Sequence, residues 1–312
     1  MKLRVGKAGE NTLDRSIIKR INAAGRKGRR ITMSADPITY PVSQIGELAV
    51  YAAINALSAE KFVPESFRSV ILLPPGTEES VLREIMDQIC RVCSDEHLVI
   101  EGGHTEVTSA VTRPVVIGAC TGSSMDQKMK RVEPNDSGAD QIILTKWAGM
   151  EGSSILARDR EELQEVFPET ILMRMRELER YLSVRKEAQI CVENGAQYLV
   201  DLSEGGIYAA LWRLFVKAKR GFVVDLMDIP VLQETIEFAN HYDIDPYRLR
   251  SGGSLLAVTR DADSLIEKLA ESGIPAARIG ELSEDRDKIL RNEDEIRYLD
   301  LPQPDELLKI MQ

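Results

Sequence analysis

The chain has no apolar run near the roughly 18 residues that a membrane helix needs, so no membrane contact is expected. Its start, Met1-Lys2-Leu3-Arg4-Val5-Gly6, carries cations with no apolar segment behind them, and no secretory signal is expected there. Cysteine is sparse. Cys90, Cys93, Cys120 and Cys191, scattered through 312 residues, do not make a disulfide framework, so the thiols are expected reduced and the protein cytoplasmic. Cys90-Arg-Val-Cys93 has the C-x-x-C spacing, but it lies in a helical run without a second pair or a nearby His, which argues against zinc or redox use. Positive charge is also short. With 40 Lys and Arg against 50 Asp and Glu, the net charge of −10 argues against a general nucleic-acid binder, because phosphate would be repelled.

What is present describes an ordinary globular protein, 43% hydrophobic and 29% charged. A length of 312 residues exceeds the usual single-core limit of roughly 250–300, so two domains are expected. The pattern turns polar from Met125 to Asp140, around Pro134-Asn135-Asp136-Ser137-Gly138, and the expected domains are therefore 1–137 and 138–312.

The most site-like stretch runs from Leu98 to Thr108. Its apolar start, Leu98-Val99-Ile100, reads as a strand, and Gly102-Gly103 reads as a tight turn presenting Glu101, His104, Thr105 and Glu106. A plain hairpin turn with polar residues facing water fits the same spacing. Arg113 to Cys120 reads as its hairpin partner.

Elsewhere in the first half, Asn11 to Ala24 and Gln44 to Leu57 carry apolar residues at helical spacing, and Ser69 to Leu73 is β-like. Between them lie Arg26-Lys27-Gly28-Arg29-Arg30, a cationic loop suited to anions or simply solvated, and the strand Ile31 to Ser34, followed by Asp36.

The second half opens with the strand Gln141 to Thr145, where Lys146 begins a glycine-punctuated turn into a helix. After the strand Tyr198 to Asp201, the run Leu202-Ser203-Glu204-Gly205-Gly206 repeats the earlier grouping of carboxylate, hydroxyl and two glycines. It stands at the start of a helix, Ile207 to Ala218. Free amides at such helix starts are natural phosphate seats. Further strands at 222–226, 254–258 and 277–282 and helices at 234–241 and 262–272 alternate without a parallel-sheet rhythm, so the class is α+β.

Several motifs together resemble one superfamily: SADPIT near Asp36, LLPPGT at 72–77, GGHTEVT at 102–108, RPVVIGACTG at 113–122, TKWAGMEGSSILA, VDLSEGGIYAALW and RLRSGGSLLAV. It is the superfamily of aminoimidazole ribonucleotide synthase, the hydrogenase-maturation dehydratase, selenophosphate synthetase and thiamine-monophosphate kinase. The AIR-synthase-related branch is most similar. The resemblance implies a two-domain PurM-like fold, α+β in the N-terminal domain and α/β/α in the C-terminal one. It also implies a homodimer whose N-terminal strands join into a barrel, with ATP and Mg²⁺ as cofactors.

By the same resemblance, Asp36 is a magnesium-facing carboxylate, Gly102 to Glu106 line the nucleotide and substrate cleft, and Asp201 to Gly206 face that cleft. The candidate catalytic residues are His104, Glu106 and Glu204. The candidate ATP contacts are Arg26, Lys27, Asn55, Gly102, Gly103, Thr105, Lys146, Asp201, Ser203, Gly205 and Gly206.

Three positions depart from the family pattern. Arg26, Lys27, Arg29 and Arg30 stand where an acidic loop is usual, Ala56 stands where a metal-binding aspartate is usual, and no cysteine follows Cys191, so the dehydratase's route through a C-terminal thiol is not expected. The expected function is ATP-dependent activation or phosphorylation of a small metabolite. The alternative is a catalytically degenerate member acting as a ligand-binding or partner subunit.

Overall fold

In the computed structural model, residues 30–125 and 139–311 are described. The described residues fall into two compact units, 30–125 and 139–310. The first expected helix, Asn11 to Ala24, and the cations Arg26, Lys27 and Arg29 lie outside the described residues.

The N-terminal unit is a four-stranded sheet with two helices. Strands β1 (Ile31–Ile38), β2 (Phe62–Leu73), β3 (Val99–Val107) and β4 (Val115–Ser124) lie in the order β1-β4-β2-β3, and α1 (Ile45–Ala59) and α2 (Glu79–Asp95) intervene in sequence. Helix α1 is apolar on nearly every side and is buried along most of its length, with Leu48, Ala49, Val50, Ala53 and Ile54 at its centre. Helix α2 is amphipathic and buries only Ile85, Ile89, Val92 and Cys93, spaced three and four apart as one helix face requires. Residues buried on the sheet include Thr32, Ser34 and Ile38 of β1, Phe67 and Ile71 of β2, and Val116 and Cys120 of β4.

Two expectations about the central stretch are corrected. The strand does not stop at Gly102-Gly103; it runs on to Val107, with a bulge at Glu101 where Phe67 pairs with Ile100 and Arg68 with Gly102. Gly102 takes φ +129°, which a side chain would strain, and a Cβ on Gly103 would come 2.4 Å from the Ser69 carbonyl oxygen. The second correction concerns pairing. Strand β4 is not the hairpin partner of β3; it lies antiparallel between β1 and β2, and β3 runs parallel to β2 on the far side. The reason is burial. Cys120 of β4 and its partner Phe67 are both fully buried, whereas all nine residues of β3 are exposed, so β4 takes a central place and β3 an edge.

The C-terminal unit is a seven-stranded mixed sheet with helices. Its elements are β5 (Gln141–Thr145), α3 (Met150–Asp159), α4 (Glu169–Arg176), α5 (Arg185–Glu193), β6 (Tyr198–Asp201), α6 (Gly206–Ala218), β7 (Gly221–Asp225) and α7 (Gln233–Tyr242). They continue with β8 (Leu255–Thr259), α8 (Ala262–Glu271), β9 (Ala276–Ser283), β10 (Lys288–Asn292), β11 (Glu295–Tyr298) and α9 (Leu307–Ile310). The strand order is β11-β10-β7-β9-β5-β8-β6, and only β10 and β7 pair in parallel. Its core joins Ile142, Leu144, Phe222, Val224, Leu256, Val258 and Ile279 of the sheet to Ile207, Ala210, Leu211 and Leu214 of α6. That packing fixes the start of α6, where the second glycine pair stands.

Candidate functional site

On the N-terminal unit, His104 and Glu106 share the sheet face away from the helices, because both pair with residues on that side, Val70 and Leu72. The His104 Nε2 lies 3.7 Å from a Glu106 carboxylate oxygen, and both side chains are exposed. Thr105 pairs with buried Ile71 and so faces the opposite way. The expected trio of imidazole, hydroxyl and carboxylate therefore does not converge within this sheet. Beside the pair, Glu101 meets Arg68 at 3.3 Å, both exposed. The same open face carries Ile31, Met33 and Val99, large apolar side chains left uncovered within the unit.

Asp36 pairs with Gly118 and belongs to the helix-facing side of β1, half-buried, while Asn55 is buried within α1. Among the described residues, no three His, Cys, Asp or Glu side chains are grouped to hold a metal ion.

In the C-terminal unit three turns meet. Lys146, in the left-handed region at φ +56°, is 4% exposed, and its amine donates to the carbonyls of Tyr181 (2.6 Å), Ser183 (2.8 Å) and Gly253 (2.8 Å) while pairing with Glu187. All three ammonium protons are taken. A buried ammonium needs such partners to remain in the core, and here they engage the group expected to contact nucleotide.

The second turn follows β6. Asp201 is buried, its carbonyl accepts from the Arg213 guanidinium, and the Ser203 hydroxyl accepts from the same group at 3.3 Å. Glu204 is half-buried at the tip. Gly205 and Gly206 take φ +76° and +59°, and a Cβ on Gly206 would stand 2.5 Å from the Tyr247 carbonyl oxygen and 2.6 Å from that of Leu249. Glycine is required here by both backbone conformation and space.

The third turn, 249–253, lies against the second: Ser251 N–H donates to the Ser203 carbonyl at 3.4 Å. Arg250 pairs with Glu151 at 3.3 Å, both buried, and Glu151 also accepts from Gly252 N–H at 2.9 Å. Asp305 completes the cluster. Its carboxylate accepts from Gly205 N–H at 2.6 Å and from Arg250 N–H at 3.3 Å. Burial pushes the Asp305 carboxyl up to about 7, with Arg250 and the amide bonds opposing the shift and Glu151 adding to it.

Sequence reasoning missed Glu151, Arg250 and Asp305 as members of this cluster. The RLRSGG run marked the neighbourhood of Arg250. The sole signal for Asp305 was its place two residues before a short apolar helix, where it caps Leu307 N–H at 2.9 Å. Chemically, the Ser203–Gly206 turn is suited to an anionic group, and its Gly205 N–H holds the Asp305 carboxylate beside Arg250.

Comparison with known proteins bears on these turns. Residues 139–291 match the family described as AIR synthase related protein, C-terminal domain. The carbamoyl dehydratase HypE of Cupriavidus necator is 26% identical over 270 residues, covering 83% of this chain and 74% of the relative. The selenide, water dikinase of Carboxydothermus hydrogenoformans is 24% identical over 316 residues, covering 90% and 87%. A crystal structure of the hydrogenase maturation protein HypE in complex with ATP superposes with a TM-score of 0.72 at 17% identity, covering 96% of this chain and 93% of the other. The PurM-like, two-domain α+β fold is thus shared with these proteins.

Proposed function

We propose that this chain, whose residues 139–291 are an AIR synthase related C-terminal domain, binds ATP and uses it to activate or phosphorylate a small metabolite. The observation that carries the reading is the Ser203–Gly206 turn: two glycines, fixed by φ and by close carbonyls, hold a carboxylate and a hydroxyl beside Arg250 at the start of α6, where the Gly205 N–H seats the Asp305 carboxylate. A turn so constrained holds its polar groups rigidly, and positioned groups of this kind stabilise developing phosphoryl charge. The likeness to an ATP-bound HypE structure supports nucleotide as the ligand.

In this reading Glu204 meets the substrate or nucleotide from the turn's tip, Asp201 and Ser203 shape the same surface, and His104 and Glu106 serve from the open face of the N-terminal sheet. Gly102 and Gly103 set the course of that strand. Arg26 and Lys27 meet phosphate.

Magnesium bound through nucleotide phosphates needs only one or two protein carboxylates. Asp36 supplies one and Ala56 none, so the described residues do not make a metal site by themselves and no step is assigned to the ion. The exposed Ile31, Met33 and Val99 support a homodimer through the open sheet face, since apolar side chains on an uncovered sheet call for a partner.

The test is incubation of the purified chain with ATP and a metabolite panel, reading products by mass spectrometry. Appearance of ADP or AMP coupled to one metabolite's conversion is expected. ATP binding without turnover on any metabolite would favour the ligand-binding subunit instead.

A further inference from the structure

Strand β6 ends the C-terminal sheet and pairs with β8 alone. Bonding to β8 falls to Leu202, whose N–H donates to the Ser254 carbonyl at 2.9 Å, and by alternation to Val200, so Leu199 and Asp201 turn their carbonyls outward. Two cations of α6 meet them. The Lys217 amine donates to the Leu199 carbonyl at 2.9 Å, and the Arg213 guanidinium donates to the Asp201 carbonyl. Being four residues apart, these cations stand on one side of the helix.

Arg213 makes a further bond that Lys217 does not: its other terminal nitrogen donates to the Ser203 hydroxyl oxygen at 3.3 Å. A guanidinium has donors only, so the hydroxyl oxygen must accept. The Ser203 carbonyl is held separately, by Gly206 N–H at 3.2 Å and Ser251 N–H at 3.4 Å. Among the described residues none accepts the hydroxyl proton, and the Ser203 side chain is half-buried, within reach of a ligand. The polar neighbours in the turn, Asp201 and Glu204, are carboxylates, which when ionised only accept.

We propose that Arg213 is a positioning residue for the nucleotide site: it holds the Ser203 oxygen so that the hydroxyl proton is left to donate to an anionic ligand, a nucleotide phosphate oxygen. This deepens the reading of the Ser203–Gly206 turn as an ATP contact and rests on it. The bond to the Asp201 carbonyl pins the start of the turn, and the bond to the hydroxyl sets which way that group donates. A hydroxyl that accepts from a cation is polarised, which makes it the stronger donor to phosphate.

Isothermal calorimetry of ATP against the full chain tests this as a double-variant cycle. Ser203→Ala and Arg213→Gln are each expected to weaken ATP binding about tenfold, as loss of one charge-assisted hydrogen bond does. Glutamine disrupts because its side-chain carbonyl accepts the hydroxyl proton that arginine leaves available. The two changes together are expected to weaken binding no more than either alone, because Arg213 acts through Ser203. Arg213→Lys, which also only donates, is expected to bind ATP within about threefold of wild type. Lys217→Gln, which breaks the other carbonyl contact of α6, is expected to lower the melting temperature and leave ATP affinity unchanged. Losses that multiply to about a hundredfold in the double variant would overturn the proposal while leaving the nucleotide reading in place. So would Arg213→Gln binding as wild type does, or an equal loss of affinity in Lys217→Gln. A wild type without saturable ATP binding would overturn both. If Arg213→Gln fails to fold, Arg213→Met completes the same cycle.

Discussion

The ammonium of Lys146 and the carboxylate of Glu187 form an ion pair inside the C-terminal unit, with side chains 4% and 3% exposed. Removing one partner of a buried pair leaves an uncompensated charge, whereas replacing both with apolar residues of similar volume is often neutral. Glu187→Ala is expected to lower stability by about 3–5 kcal/mol in denaturant unfolding. The double variant Lys146→Met, Glu187→Leu is expected to recover only part of it, because the Tyr181, Ser183 and Gly253 carbonyls lose their donor, with ATP affinity unchanged. A double variant that folds but loses ATP affinity would return Lys146 to the binding site.

Gly206 and Glu204 separate fold from function in one turn. Gly206→Ala meets two carbonyl oxygens within 2.6 Å at φ +59°, so a loss of stability of about 1–3 kcal/mol is expected from thermal melting. Glu204→Ala, at the half-buried tip, is expected to change the melting temperature little and to weaken ATP or substrate binding. The reverse outcome, a melting shift of the size of a lost helix cap with unaltered binding, would make Glu204 structural.

Dimerisation through the open sheet face predicts a clear response to charge. Met33, 48% exposed on β1, is apolar where a free surface would favour a polar residue. The wild type is expected to sediment at about twice 34.8 kDa and Met33→Asp at the single-chain mass. A wild type that sediments as a single chain at micromolar concentration would remove the dimer.

Thiol chemistry offers an independent check of packing. Cys90 is exposed, whereas Cys93, Cys120 and Cys191 are buried, and burial pushes the Cys93 thiol up to about 12, helped by its neighbours Cys90 and Cys120. Ellman's reagent at pH 8 is expected to titrate one thiol rapidly and the other three only after denaturation, because the thiolate is the nucleophile. Rapid reaction of a second thiol would contradict the burial of Cys93, Cys120 or Cys191.

Periodicity made the helices legible: the expected Gln44 to Leu57 and Ala262 to Ser272 correspond to α1 and α8 within two residues at each end. Local turn chemistry misled at Gly102-Gly103, since two glycines serve a bulge beside a close neighbouring strand as well as they serve a turn. Strand pairing was hidden for a different reason: the β2–α2–β3 crossover makes β3 parallel to β2, and that depends on burial of Phe67 and Cys120 far apart in sequence. Strands β10 and β11 were too polar to stand out. In the site, the glycines of 205–206 were legible because backbone geometry leaves a composition mark. Glu151, Lys146 and Asp305 were not, because a charged residue reads as exposed until its distant partners are known.

ATP binding is tested most directly by isothermal calorimetry of ATP against the full chain, with Mg²⁺ and again with EDTA. Saturable binding of one nucleotide per protomer is expected. It is expected to be retained in EDTA and to weaken at least tenfold, about 1.4 kcal/mol, when Arg26, Lys27, Arg29 and Arg30 are all changed to Ala. No saturable heat in either buffer would contradict an ATP-dependent function for this chain.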